Sequence, residues 1–207
     1  MFDSVSDLHM TGKCIVRTLD AISLTRLPSS VASVQIWKTH TEARLSLAVL
    51  RTVLTEYLGV DAAALEIGTG RHGKPYLSSP CFPIEFNLSH SGEWMLLAIS
   101  QSHEVGIDLE IERTDFDYAG LSRSFFSEKE CASLQRASPV NRHRDFLRIW
   151  TRKEALAKAI GSGLSMPFRN VDVLAGEQLN GGWLLCDLDA GMGYIAALAS
   201  RPKKMPR

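Results

Sequence analysis

The chain has 207 residues, with 23 basic and 23 acidic side chains and a formal net charge of zero. That length can bury a real core, as one large domain or two small fused ones, and the balanced charge argues against a non-specific nucleic-acid binder. No apolar stretch approaches a membrane span, Met1-Phe2-Asp3-Ser4 lacks the features of a signal peptide, and four scattered cysteines without CxxC spacing point to buried free thiols in a reducing cytoplasm rather than zinc.

Residues 1–12 look loosely ordered, 13–18 read as a first strand and 27–33 as a Pro/Ser-rich connector. Over about 39–58, Leu45, Ala48, Val49 and Val53 recur at helical spacing and stop at Gly59; Arg44 and Arg51, seven apart, share a face of that helix. A short strand at 65–67 leads into Gly68-Thr69-Gly70-Arg71-His72-Gly73-Lys74-Pro75, which must turn. Residues 84–88 and 93–100 read as strands around a Ser89-His90-Ser91-Gly92 turn, and 105–111 as another strand. Ser127, with Glu130 three residues on, marks a capped helix start. A longer helix runs over about 142–160 and stops at Gly161-Ser162-Gly163, followed by candidate strands at 171–174, 182–188 and 193–199. This is an α+β chain whose meander-like strands suggest two similar halves, 1–103 and 104–207, each with a small, largely antiparallel sheet and packed helices.

The chemistry concentrates in two fragments. In Gly106-Ile107-Asp108-Leu109-Glu110 the two acids stand at i, i+2 on a strand, so they leave one face about 7 Å apart. In Trp150-Thr151-Arg152-Lys153-Glu154-Ala155 a third acid lies one helical turn before Lys158, while Lys153 sits about 100° around the helix and lines a groove wall at most. Three converging acids beside cations suit magnesium held against a phosphate ester or anhydride. The plainer readings are solvated acids at a strand end and a Glu154–Lys158 surface pair contributing about 0.2–0.5 kcal/mol. His90, between two serines, is a candidate phosphate contact or a structural hydrogen-bonder, and residues 68–74 lack the pattern of a P-loop.

Taken in order, Arg71-His72-Gly73-Lys74-Pro75, Phe86-Asn87-Leu88-Ser89-His90-Ser91, Gly106 to Glu110, Trp150 through Lys153-Glu154-Ala155 to Lys158, and Gly161 to Leu164 resemble the surfactin-type (Sfp-type) 4′-phosphopantetheinyl transferases over roughly residues 40–175. The resemblance implies that family's fold: a monomer of two similar α/β halves, related by a pseudo-two-fold, with the site at their junction. It implies transfer of 4′-phosphopantetheine from coenzyme A to a serine of an apo carrier protein, with release of 3′,5′-ADP. Carried over by motif, Asp108, Glu110 and Glu154 bind Mg2+, and Glu154, Lys158 and Asp108 are the catalytic set. Arg44, Arg71, Gly73, Lys74, Pro75, Ser89, His90, Lys153 and Lys158 contact coenzyme A. The implied enzyme is cytoplasmic, with neither nucleic acid nor membrane as partner.

One departure stands out: family members commonly carry basic residues upstream of the first helix to grip the 3′-phosphate, whereas Leu27-Pro28-Ser29-Ser30-Val31 has none, leaving Arg26, Lys38, Arg44 or Arg71 to substitute. Arg123, Lys129, Arg136, Arg142 and Arg144 form a candidate face for an acidic carrier helix. The competing readings are a magnesium-dependent phosphatase or pyrophosphatase and a non-catalytic binder of coenzyme A or a carrier. The complete acid set weighs against the binder.

Overall fold

The computed structural model describes residues 23–26, 33–40, 46–174, 176, 178–179 and 181–204. In chain order the elements are β1 (Ser23–Arg26), β2 (Val34–His40), α1 (Ser46–Leu58), β3 (Glu66–Thr69), β4 (Pro75–Ser79), β5 (Glu85–Ser91), β6 (Trp94–Ser100) and β7 (His103–Ile111). They continue with α2 (Tyr118–Phe125), α3 (Glu128–Arg136), α4 (Arg142–Ile160), β8 (Gln178–Leu179), β9 (Trp183–Leu188) and β10 (Tyr194–Pro202). Two four-stranded antiparallel sheets result, ordered β1-β2-β6-β5 and β7-β10-β9-β8, with β3 and β4 as a separate hairpin. The two lobes expected from the sequence are present.

Strand alternation sorts the apolar residues into three cores. Trp37, Phe86, Met95, Leu97 and Ile99 face Leu50, Val53 and Leu54 of α1. Their neighbours Val34, Ile36, Leu96 and Ala98 point the other way, onto Ile107, Leu109, Ala196 and Leu198 of the second sheet. The far face of that sheet, with Leu185, Ala197 and Ala199, packs on Phe146, Leu156 and Ala159 of α4. The layers therefore run α1, first sheet, second sheet, α4. Burying each large aliphatic side chain contributes about 1.5–3 kcal/mol, so the sheet-on-sheet layer is a strong bond between the lobes.

Several expectations need correction. The helix expected from about 39 begins at Ser46, because 34–40 alternates buried and open positions as strand β2. Ser89, His90 and Ser91 belong to β5 rather than to a turn, and the reversal shrinks to Gly92-Glu93, with Gly92 at φ 58°. Residues 171–174 are irregular; the Val173 N–H bonds to Glu130 Oε1 instead of a strand partner. Strand β4 and helix α2, the latter capped by Asp117, were not expected. The Ser127–Glu130 capping box forms as read, and α4 spans the expected residues, ending on Gly161 in the left-handed region at φ 73°. Cys81 is an exposed free thiol, not a buried one. The strand expected at 13–18 and Arg44 lie outside the described residues.

Candidate active site

The site begins with a glycine. On β7, Val105, Ile107 and Leu109 face the inter-sheet core, so Gly106, Asp108 and Glu110 face α4. A Cβ at Gly106 would stand 2.1 Å from the carbonyl oxygen of Ala155 and 2.3 Å from the nitrogen of Ala159. Helix α4 thus crosses the strand in direct backbone contact, which only glycine permits. That crossing brings Lys158 onto Asp108: the ammonium donates to Oδ1 at 2.7 Å and to Ser89 Oγ at 2.9 Å. Ser89 Oγ donates in turn to the same Oδ1 at 3.0 Å.

Asp108 is 4% exposed, and its second oxygen, Oδ2, is buried without a hydrogen-bond partner among the described residues. Burial pushes its carboxyl above the usual carboxylate range, opposed by Lys158 and Ser89. Glu110 and Glu154 are also raised, first by burial and then by repulsion from Asp108; Glu154 feels Glu110 as well, and Lys158 opposes both shifts. The three acids therefore share one electrostatic neighbourhood with the Lys158 ammonium, and Arg113 acts on Glu110 as well. Among the described residues no group of three His, Cys, Asp or Glu side chains is arranged to hold a metal ion. The donor chemistry nevertheless fits a hard cation: three carboxylates, one presenting an orphaned buried oxygen.

Beside this cluster the β3–β4 hairpin and the end of α4 enclose a groove of about 400 Å³, lined by Arg71, His72, Lys74, Pro75, Phe86 and Gly161 among others. Gly73 turns the hairpin at φ 83°. Lys74 reaches across the lobes, donating to the carbonyls of Val105 and Ala159, both at 3.3 Å, with the Glu85 carboxylate 3.6 Å away. Burial lowers its pKa, partly offset by Glu85. The amine is engaged by protein oxygens, so Lys74 fastens the hairpin to the helix that carries Glu154 and Lys158.

The structure thus brings Asp108, Glu110, Glu154, Lys158 and Ser89 together, with Arg71, Lys74 and Pro75 at the adjoining groove. Lys153 is elsewhere. It is fully buried, 2.8 Å from Glu130, and donates to the carbonyls of Phe168 and Val171; at 100° from Glu154 the helix turns it into the core. Ser89 and His90, expected to meet one ligand, are neighbours on a strand and leave opposite faces. Ser89 faces β7, while His90 lies on the side of Phe86 and Leu88, which pack toward α1. Lys38 is held by the Ala190 carbonyl and stands 4.0 Å over the Trp94 ring. Arg123, Lys129, Arg136 and Arg144 are exposed, whereas Arg142 is partly occupied with the Ala137 carbonyl.

Reading residues one by one missed Asn87 and Ser91. Asn87 Oδ1 accepts from the Ile107 N–H at 2.9 Å, and Ser91 Oγ meets Glu110 Oε2 at 3.3 Å and the Ile111 N–H at 2.9 Å. The available signal was Asn87, Ser89 and Ser91 at every second position of a strand, alternating with Phe86, Leu88 and His90.

Comparison with known proteins places this arrangement. A family model described as the 4′-phosphopantetheinyl transferase superfamily matches residues 104–189. The chain is 35% identical over 126 residues to a 4′-phosphopantetheinyl transferase of Bacillus subtilis, covering 60% of this chain and 54% of that one. It is 35% identical over 119 residues to the 4′-phosphopantetheinyl transferase HetI of Nostoc sp., covering 56% and 50%, and 42% identical over 96 residues to the 4′-phosphopantetheinyl transferase AcpT of Escherichia coli, covering 46% and 49%. The chain spans about half the length of these curated relatives. The superfamily match covers the part of the chain that carries Asp108, Glu110, Glu154 and Lys158.

Proposed function

We propose that this protein is a member of the 4′-phosphopantetheinyl transferase superfamily, of surfactin type, and moves 4′-phosphopantetheine from coenzyme A to the serine of an apo acyl or peptidyl carrier protein. The observation that carries the reading is Asp108: a buried carboxylate with one oxygen unpaired, beside two further raised acids and one lysine. Such an uncompensated cluster is costly unless a cation belongs to it.

In this reading Asp108, Glu110 and Glu154 are the residues that would hold Mg2+. A bound Mg2+ would neutralise charge on the diphosphate and on the departing ADP. The carrier serine oxygen attacks the β-phosphorus of coenzyme A; the new O–P bond forms as the bond to 3′,5′-ADP breaks. Glu154 takes the serine proton, directly or through water, a role suited to a carboxyl that burial and Asp108 hold above the usual carboxylate range. Lys158 donates to the phosphate oxygens where negative charge grows.

The groove beside Arg71, Gly73 and Pro75 receives the nucleotide, with Arg44 and His90 as further phosphate contacts. Lys74 contributes by holding that loop in place, and Ser89 by orienting Asp108. Residues 1–103 then supply the nucleotide wall and 104–207 the acids. The exposed Arg123, Lys129, Arg136 and Arg144 would meet the acidic carrier. Both walls of the site come from one chain, which supports action as a monomer. In this reading the enzyme works in the cytoplasm, where thiols such as those of Cys81 and Cys131 stay reduced.

The test is the intact mass of apo carrier proteins of fatty-acid, polyketide and peptide type after incubation with the protein, coenzyme A and Mg2+. A gain of one phosphopantetheine, abolished by EDTA, is the expected result. No gain on any carrier would reject the reading.

A further inference from the structure

The two sheets meet at edge strands: the backbone ladder of the first ends at β5 and that of the second begins at β7. An edge strand presents unpaired N–H and C=O groups. Here side chains of β5 serve them. At every second position one reaches β7: Asn87 to the Ile107 N–H, Ser89 to the Asp108 carboxylate, Ser91 to Glu110 and the Ile111 N–H. The first lobe therefore grips Asp108 and Glu110 of the second lobe's strand through hydroxyl groups.

Ser91 is the informative member. A serine hydroxyl has one proton to give and two lone pairs. The Ile111 N–H, at 2.9 Å, occupies a lone pair and fixes the oxygen; the proton is then directed to Glu110 Oε2 at 3.3 Å. That bond fixes one oxygen of the Glu110 carboxylate relative to the β7 backbone. The next residue, Gly92, turns at φ 58° with its α-carbon face against Tyr194 and Ile111, so the hairpin tip that carries Ser91 sits close on the second lobe.

We propose that Ser91 is a positioning residue: through its hydroxyl the first lobe holds the Glu110 carboxylate oriented beside Asp108, and so sets the protein's affinity for Mg2+. The inference rests on the metal reading given above. Strand β5 would then serve both halves of the reaction, with Glu85 and Phe86 lining the nucleotide groove and Ser89 and Ser91 holding the acids. Partners behind metal ligands typically matter by about 10–100-fold in metal affinity.

The experiment titrates Mg2+ into wild type, Ser91→Ala and Ser91→Thr without coenzyme A, reading the rise in melting temperature. The Mg2+ midpoint of Ser91→Ala should lie about tenfold above wild type, and Ser91→Thr, which keeps the hydroxyl, should stay within about threefold. With coenzyme A and carrier present, the Mg2+ activation midpoint should move further than kcat at saturating Mg2+. An unchanged midpoint in Ser91→Ala overturns the proposal, even if its metal-free melting temperature falls, because Ser91 is then only structural. A midpoint in Ser91→Thr as weak as that of Ser91→Ala overturns it too. If wild type shows no Mg2+-dependent rise, the metal reading fails first and the proposal falls with it.

Discussion

Helix α4 presents two lysines to two carboxylates, and the pairs behave as different kinds of object. Lys153 and Glu130, 2.8 Å apart, are both fully buried. The lysine spends its donors on Glu130, Phe168 and Val171, and the glutamate accepts from the backbone N–H groups of Ser127 and Val173 as well. Lys158 and Asp108, 2.7 Å apart, are 28% and 5% exposed at their side chains. There one oxygen takes both donors, the other has none among the described residues, and two more carboxylates stand nearby. A saturated pair has nothing left for a ligand and serves the fold. An unsaturated one, biased toward negative charge, keeps capacity for a cation and a phosphate.

The contrast is sharpest under mutation. Lys153→Met strands a buried glutamate and should cost about 3–5 kcal/mol of stability, with activity falling only in step with the folded fraction. Chemical denaturation showing a loss below about 1 kcal/mol would remove the structural assignment. Gly106→Ala forces α4 off β7 and should cost about 1–3 kcal/mol while separating Lys158 from Asp108 and lowering transfer more than stability explains. Wild-type transfer in that variant would show that the close crossing is not what assembles the site.

A smaller effect tests the charge imbalance. Burial holds Asp108, Glu110 and Glu154 above ordinary carboxylate values, with mutual repulsion adding for the two glutamates. A carboxyl harder to ionise folded than unfolded costs no stability below its unfolded pKa. It loses stability as pH rises through the raised values. Metal-free protein should therefore weaken with rising pH in that window, and Mg2+ should raise the melting temperature more at about pH 8 than at about pH 5.5. Equal gains at both would contradict the imbalance. Smallest of all, reversing exposed Arg136 and Arg144 to Glu should raise the carrier KM by about 3–10-fold and leave coenzyme A binding intact. An unchanged carrier KM would discard that face as a docking site.

Much of this contrast was present in the sequence, unevenly. The span of α4, the capping box at Ser127 and β7 follow from local signals: apolar periodicity, a cap residue and a glycine stop. The acids and Lys158 follow from motif and spacing. Which lysine serves the site did not follow from motif alone. Glu154 and Lys153 are adjacent, and only the 100° helical step and the position of Glu130, 23 residues upstream, separate a groove wall from a core staple. Ser89 to Ser91 misled for a related reason. Small polar residues before a glycine signal a turn, but here they stay extended because β7 supplies partners for the serines. The roles of Gly106 and Lys74 are tertiary: one is the absence of a Cβ beneath a helix, the other a reach of 31 and 85 residues.

The central claim is that the unsaturated cluster carries the transfer, and the rate of carrier modification tests it directly. Phosphopantetheine incorporation, followed by intact mass at saturating Mg2+, should fall by about 100-fold or more in Asp108→Asn while the protein stays folded. A folded Asp108→Asn protein that modifies its carrier at the wild-type rate would contradict the account, and the chemistry would have to lie elsewhere in the molecule.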